Sequence, residues 1–148
     1  MIGKDRNNTL NGACLCGACT FSATPVAQTA SICHCEMCRR WTGGVYMAVD
    51  CGDSVSFDPG APLGSYKGSA WGERLFCKTC GSSLVWQTQD GAHQHVSAQA
   101  FENPAQFELA SQVFIDCKPD NYAFSNKTKN MTEADVFAMF APQPEANP

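Results

Sequence analysis

The chain has 148 residues, the length of one domain, and a chain of that size buries roughly 68–70% of its extended surface on folding. Charged residues make up only 16%, with ten Lys and Arg against fourteen Asp and Glu for a net charge of −4. That shortage excludes long charged helices and polyelectrolyte tails. It also leaves too little basic charge for a face that grips a phosphate backbone, so no nucleic-acid partner is expected.

Ten of the residues are cysteine, and two physical readings compete for so many thiols: a disulfide framework or thiolate metal sites. The opening MIGKDRNNTLNG holds no apolar run of the signal-peptide kind, and no stretch approaches the ~18 apolar residues of a membrane span. The expectation is a cytoplasmic protein without a membrane partner, whose thiols stay reduced and whose clustered cysteines hold metal.

In chain order, residues 1–11 are polar and read as a loose N-terminus ahead of a single domain over 12–141. The segment 14–23 leans towards strand, is interrupted at Gly17 and is closed by Pro25. Residues 31–35 form a short piece, and 36–42 carry one or two turns of helix before Gly43 and Gly44 end it. Strands are predicted over 45–49, 54–57, 64–67, 73–77, 83–87, 95–98 and 112–116, each short and bounded by Gly, Pro, Asn or Asp. Thr132 suits a helix N-cap with Asp135 three residues on, and Val136, Phe137, Met139 and Phe140 supply an apolar side. Pro142 stops that helix, and 142–148 read as a frayed tail. The predicted class is mainly β with a short C-terminal helix.

Eight cysteines fall into three clusters: Cys14-Cys16-Cys19, Cys33-Cys35-Cys38 and Cys77-Cys80. In a knuckle such as Phe76-Cys77-Lys78-Thr79-Cys80-Gly81, two thiolates meet one ion while turn amides point at the sulfurs and Gly81 permits a positive φ. One such pair cannot fill a tetrahedral site. Cys14 and Cys16, on one face of an extended strand, can supply the other two ligands, which makes a closed structural zinc site of four thiolates. Cys19 has the wrong parity unless the chain bends at Gly17. The cluster Cys33, Cys35 and Cys38 leaves three thiolates and an exchangeable position, the arrangement of a catalytic zinc. Cys19 or His34 can alternatively close this second site; His34, between two ligands, is expected to point away from their metal.

Cys-x-Cys-Gly near the start, Cys-His-Cys-x-x-Cys-Arg-Arg and Phe-Cys-x-x-Cys-Gly-Ser together resemble the glutathione-dependent formaldehyde-activating enzyme family, which includes centromere protein V. The similarity runs from about Gly12 to about Phe124 and includes Val113-Phe114-Ile115 and Lys118-Pro119. It implies a β-tent fold, a structural zinc on Cys14, Cys16, Cys77 and Cys80, a catalytic zinc on Cys33, Cys35 and Cys38, and carbon–sulfur lyase activity on glutathione and formaldehyde. Two positions depart from the family pattern: Cys19 replaces a usually apolar residue, and Gln112 stands where members commonly carry histidine.

Three thiolates leave a zinc complex with formal charge −1, a weak Lewis acid that ionises bound water poorly but suits a substrate sulfur at its exchangeable position. The expected partner is therefore a small-molecule thiol such as glutathione, with zinc in two sites as the cofactor. Glutathione carries two carboxylates, and Arg39, Arg40 and Arg74 are the candidate substrate-binding cations. Trp41 and Trp71 read as packing residues, Cys51 and Cys117 as buried inert thiols, and His93 with His95 as a pair lacking a third ligand nearby. Two rival classes remain at this level, a zinc-stabilised binding module and a thiol redox protein. The redox reading needs a nucleophile among Cys19, Cys51 and Cys117.

Overall fold

The computed structural model describes residues 8–140. The expected tail over 142–148 and most of the expected loose N-terminus lie outside them. Eleven strands are formed among the described residues. In chain order they are β1 (Leu10–Ala13), β2 (Thr20–Ala23), β3 (Thr29–Cys33), β4 (Tyr46–Asp50), β5 (Ser56–Phe57) and β6 (Leu63–Tyr66). There follow β7 (Gly72–Cys77), β8 (Ser83–Thr88), β9 (Gln94–Ser97), β10 (Glu108–Val113) and β11 (Lys129–Asn130). Two α-helices accompany them, α1 (Glu36–Thr42) and the short C-terminal α2 (Glu133–Phe140). The fold is mainly β, as the sequence predicts, and no helix among the described residues is long and apolar enough to cross a membrane.

The chain divides into two compact units, one of residues up to Ala30 with Met47–Glu108, the other of Ser31–Tyr46 with the chain from Leu109. In the first, β1, β2 and β5 make a small antiparallel sheet, and β4, β9, β8, β7 and β6 follow one another in an antiparallel ladder. Alternation decides what that ladder buries. Val49 faces Val96 and Val96 faces Val85, and all three are fully buried. Phe21, Phe57, Phe101 and Phe107 continue the core as tilted and edge-on ring pairs 5.2–5.7 Å apart.

Strand β1 corrects the expectation of a loose segment at its last two residues, Leu10 and Asn11. Leu10 and Asn11 pair with Ala23 and Ser22, and Leu10 packs against the hydrophobic core. Gly12 is required in this strand: a Cβ on it would stand 2.4 Å from Phe21 Cζ and 2.5 Å from the Ala100 carbonyl oxygen.

In the second unit, β11, β10 and β3 lie side by side, with β11 parallel to β10. The helix α1 occupies the predicted span. Cys35 is its N-cap, and Gly43, at φ 80°, returns its amide to the Arg39 carbonyl at 2.8 Å. The N-terminus of α2 is a reciprocal cap: the Asp135 amide donates to Thr132 Oγ1 at 3.1 Å, and the Thr132 amide donates to the Asp135 carboxylate at 2.9 Å. The strand expected over 112–116 instead spans Glu108–Val113. Phe114 adopts a left-handed φ of 54°, and Ile115–Cys117 turn as a 3-10 helix, so the extended chain ends there. Trp41 packs on Tyr46 at 5.0 Å in this unit, and Trp71 packs edge-on to Trp86 at 5.4 Å in the first.

Candidate metal centres

The sulfurs of Cys14, Cys16, Cys77 and Cys80 lie within 4.8 Å of one another. Those of Cys14 and Cys16 are 3.7 Å apart, and those of Cys16 and Cys77 are 3.9 Å apart. Four thiolates at the usual Zn–S length around a tetrahedral ion are about 3.8 Å apart, so the donor set has the size of a zinc cage.

Each arm is a turn, the second starting from Cys77 at the end of β7. Cys14 to Cys19 lies between β1 and β2, with Gly17 at φ 83° and its amide on the Cys14 carbonyl at 3.1 Å. Gly81, at φ 82°, closes the other arm on the Cys77 carbonyl at 2.8 Å. The expectation that Cys14 and Cys16 share the face of an extended strand is thereby corrected: Gly17 admits the left-handed turn that brings the two sulfurs together. The Leu15 amide donates to Ser82 Oγ at 3.0 Å and links the two arms.

Hydrogen-bond donors surround three of these sulfurs. The amides of Thr79 and Cys80 donate to Cys77 Sγ at 3.3 and 3.4 Å, and the Cys19 amide donates to Cys14 Sγ at 3.2 Å. The Ser82 hydroxyl and then the Ser82 amide lower the Cys80 thiol to about 5, and the Cys80 amide leads in lowering Cys77. These groups prepare Cys77 and Cys80 as thiolates. Cys16 runs the other way: against the Ala18 amide, burial and the sulfurs of Cys14, Cys80 and Cys77 raise it to about 11, a penalty that a cation would remove.

Cys33, Cys35 and Cys38 form the second cluster, again with all sulfurs within 4.8 Å, and no fourth His, Cys, Asp or Glu among the described residues joins them. Cys33 ends β3, Cys35 caps α1, and Cys38 is buried in its first turn. The Cys38 amide donates to Cys35 Sγ at 3.3 Å. The neighbouring Cys35 and Cys38 sulfurs, and then burial, push the Cys33 thiol far up. Three crowded sulfurs resist ionising together, and a divalent cation removes that penalty.

His34 and Cys19 do not complete this trio. His34 is fully buried, with Nδ1 2.7 Å from the Tyr122 hydroxyl and Nε2 2.7 Å from Gln112 Oε1, so both ring nitrogens are engaged away from the cysteines. Burial lowers its pKa, with Lys118 and Arg39 acting in the same direction against Gln112. Cys19 closes no second site: it is fully buried in the first unit, beside Cys14 and Cys77. The bend at Gly17 that reverses its parity also takes it there.

The three arginines are dispersed. Arg40 is tied to Glu36 on the exposed side of α1 at 2.9 Å. Arg39, half-buried, donates through Nε to the His34 carbonyl at 2.9 Å. Arg74 is buried on β7, in the other unit. Burial pushes Cys19 and Cys51 up to about 12, and it also raises Cys117, where Glu133 adds to the effect. None of the three has the lowered pKa that a redox nucleophile needs. His93 and His95 belong to neither cysteine cluster. Sequence reasoning gave no role to Ser82, although it ends the Phe-Cys-x-x-Cys-Gly-Ser motif, and did not anticipate Tyr122, which lies far from the cysteine spacings.

The model of the glutathione-dependent formaldehyde-activating enzyme family matches residues 9–117, a span that contains both clusters. The chain belongs to this family. Among its relatives, an uncharacterized lyase of Schizosaccharomyces pombe is 36% identical over 126 residues, covering 84% of this chain and 92% of the relative. A crystal structure of a Rhodobacter sphaeroides protein matches with TM-score 0.55 and 25% identity, covering 63% of this chain and 88% of that one. The family match takes in β1 through the turn at Cys117, and so includes every residue of the two sulfur clusters.

Proposed function

We propose that the protein is a cytoplasmic, zinc-dependent carbon–sulfur lyase acting on a small thiol adduct, with S-hydroxymethylglutathione or a related hemithioacetal as substrate. Its zinc-binding domain is assigned to 12–141. What supports the reading is the difference in donor number between two clusters of one family-matched span: four sulfurs in one, three in the other. Four thiolates close a structural site, and three leave a position for a ligand from outside.

Zinc held by Cys33, Cys35 and Cys38 would supply a borderline-soft Lewis acid suited to a thiolate sulfur. The chain's own residues do the rest. The Cys38 amide and the start of α1 stabilise the Cys35 thiolate. His34, anchored by Tyr122 and Gln112, holds the short segment between Cys33 and Cys35 in one conformation. In the addition direction the thiol sulfur bonds to the carbonyl carbon, the π pair moves to oxygen, and the thiol proton ends on that oxygen. Cleavage reverses each of these steps.

The reading is tested by the rate at which S-hydroxymethylglutathione releases formaldehyde to a carbonyl trap. Zinc-loaded protein is expected to accelerate release, and Cys35→Ser protein is not. Absence of acceleration by zinc-loaded protein would reduce the second cluster to a scaffold element.

A further inference from the structure

Resting on the lyase reading, the structure also points to how the thiol is recognised. Arg39 follows the ligand position Cys38, and its Nε is held on the His34 carbonyl at 2.9 Å. Its remaining guanidinium donors have no carboxylate partner among the described residues. Lys118 donates through Nζ to the carbonyl oxygens of Pro119 (3.1 Å) and Tyr122, and stands 5.2 Å from the centre of the Tyr122 ring. It too has no carboxylate partner among the described residues.

Both cations are tied to His34. Arg39 binds its carbonyl directly, and Lys118 lies over the ring of Tyr122, whose hydroxyl is 2.7 Å from His34 Nδ1. His34 lies between Cys33 and Cys35. The centre of the Tyr122 ring is 5.5 Å from that of the His34 ring. Arg39, Lys118 and Tyr122 therefore gather beside the three-sulfur cluster.

Half-buried cations held by carbonyl groups and, for Lys118, a ring face lose hydration without gaining a carboxylate counter-charge, and an anionic ligand offsets that loss. A guanidinium fixed through one nitrogen offers its remaining fork to a planar carboxylate, and an ammonium with two donors already placed offers its third. Arg40 is unsuited because Glu36 holds it, and Arg74 belongs to the other unit.

We infer that Arg39 and Lys118 form an anion subsite beside Cys33, Cys35 and Cys38 that receives a carboxylate of the substrate thiol. The site accordingly selects acidic thiols over neutral ones of similar size. Neither side chain serves only to balance the charge of the three thiolates.

The test uses cobalt-substituted full-length protein, whose thiolate-to-cobalt bands report a thiol entering the second site. Titrations with glutathione, glutathione diethyl ester and 2-mercaptoethanol are compared for wild type, Arg39→Gln and Lys118→Met, with circular dichroism to verify folding. Wild type is expected to bind glutathione roughly tenfold or more tighter than the diester. Either substitution should bring that ratio towards one while 2-mercaptoethanol affinity stays put, and Arg39→Lys should retain part of the preference if Arg39→Gln fails to fold.

A preference unchanged by the substitutions overturns the subsite. Equal weakening of all three thiols, with displaced bands in the thiol-free protein, means instead that the cations balance the thiolates. If no thiol perturbs the wild-type bands, the lyase reading itself falls, an outcome distinct from thiols binding without regard to charge.

Discussion

The Nε2 of His34 stands 2.7 Å from the Oε1 of Gln112. The orientation of that amide is set from its far side. Thr128 donates its hydroxyl hydrogen to Asn130 Oδ1 at 2.6 Å, so its oxygen accepts from Gln112 Nε2 at 2.9 Å, and Oε1 turns to the ring. His34 then carries its proton on Nε2, and Nδ1 accepts from Tyr122. Gln112→Leu leaves a buried ring N–H without an acceptor and is expected to cost about 2 kcal/mol, read as a lowered Tm. Gln112→His keeps a nitrogen able to accept and should lose much less. Equal loss in both variants would show that packing, not the hydrogen bond, is what Gln112 provides.

Removing one sulfur from each cluster should have unlike consequences. Cys77→Ser opens a cage enclosed by two turns of the first unit, and a structural zinc contributes an apparent ~10–16 kcal/mol to small metallodomains. The expected result is protein without ordered β structure by circular dichroism. Cys35→Ser is expected to yield folded protein with one zinc fewer per chain by elemental analysis and no lyase activity. Unfolding of both variants would assign a structural role to both metals.

Local chemistry made some of this structure legible in the sequence. Glu36–Thr42 is helical as predicted because a cap at Cys35 and a left-handed exit at Gly43 are both encoded within nine residues. The two sulfur groups match those expected from the cysteine spacing, although the Cys14–Cys16 arm is a turn at Gly17 where an extended strand was expected. β1 was not readable, since Leu10 and Asn11 become strand only through pairing with Ala23 and Ser22. β10 was displaced because nothing in Val113-Phe114-Ile115 announces that Phe114 turns left-handed; its ring meets Phe137 of α2 at 5.8 Å, a contact made across the sequence. The same limit applies to the site. Tyr122 reaches His34 across 88 residues, and no spacing signals that.

Gly12 is expected to be intolerant of even one methyl group. A Cβ there meets the end of the Phe21 ring and the Ala100 carbonyl, and the backbone oxygen cannot turn aside as a flexible side chain can. Phe21 is in turn wedged between Phe57 and Phe101 at 5.7 and 5.4 Å. Gly12→Ala should destabilise by about 2–3 kcal/mol in urea unfolding. Gly44→Ala, where a Cβ meets nothing within 4 Å, should change stability by less than about 0.5 kcal/mol. Similar midpoints for the two variants would mean that the β1–β2 sheet yields readily at Gly12.

His95 should make the fold acid-sensitive. It pairs across the ladder with Trp86, its ring 5.8 Å from the indole, and burial lowers its pKa from 6.5, with His93 acting the same way and Asp50 opposing. The native state therefore takes up this proton at lower pH than the unfolded chain. Above about pH 6.5 the ring is neutral in both states and contributes nothing to the pH dependence. As pH falls through that value, the unfolded chain binds a proton that the native state refuses, and stability declines until the native pKa is reached. Thiolate protonation at the metal centres adds a decline of its own, so the informative quantity is the difference between wild type and His95→Gln. The Tm drop between about pH 7.5 and 5.5 is expected to be smaller in the variant, whereas equal drops would show that His95 titrates alike in the folded and unfolded chain.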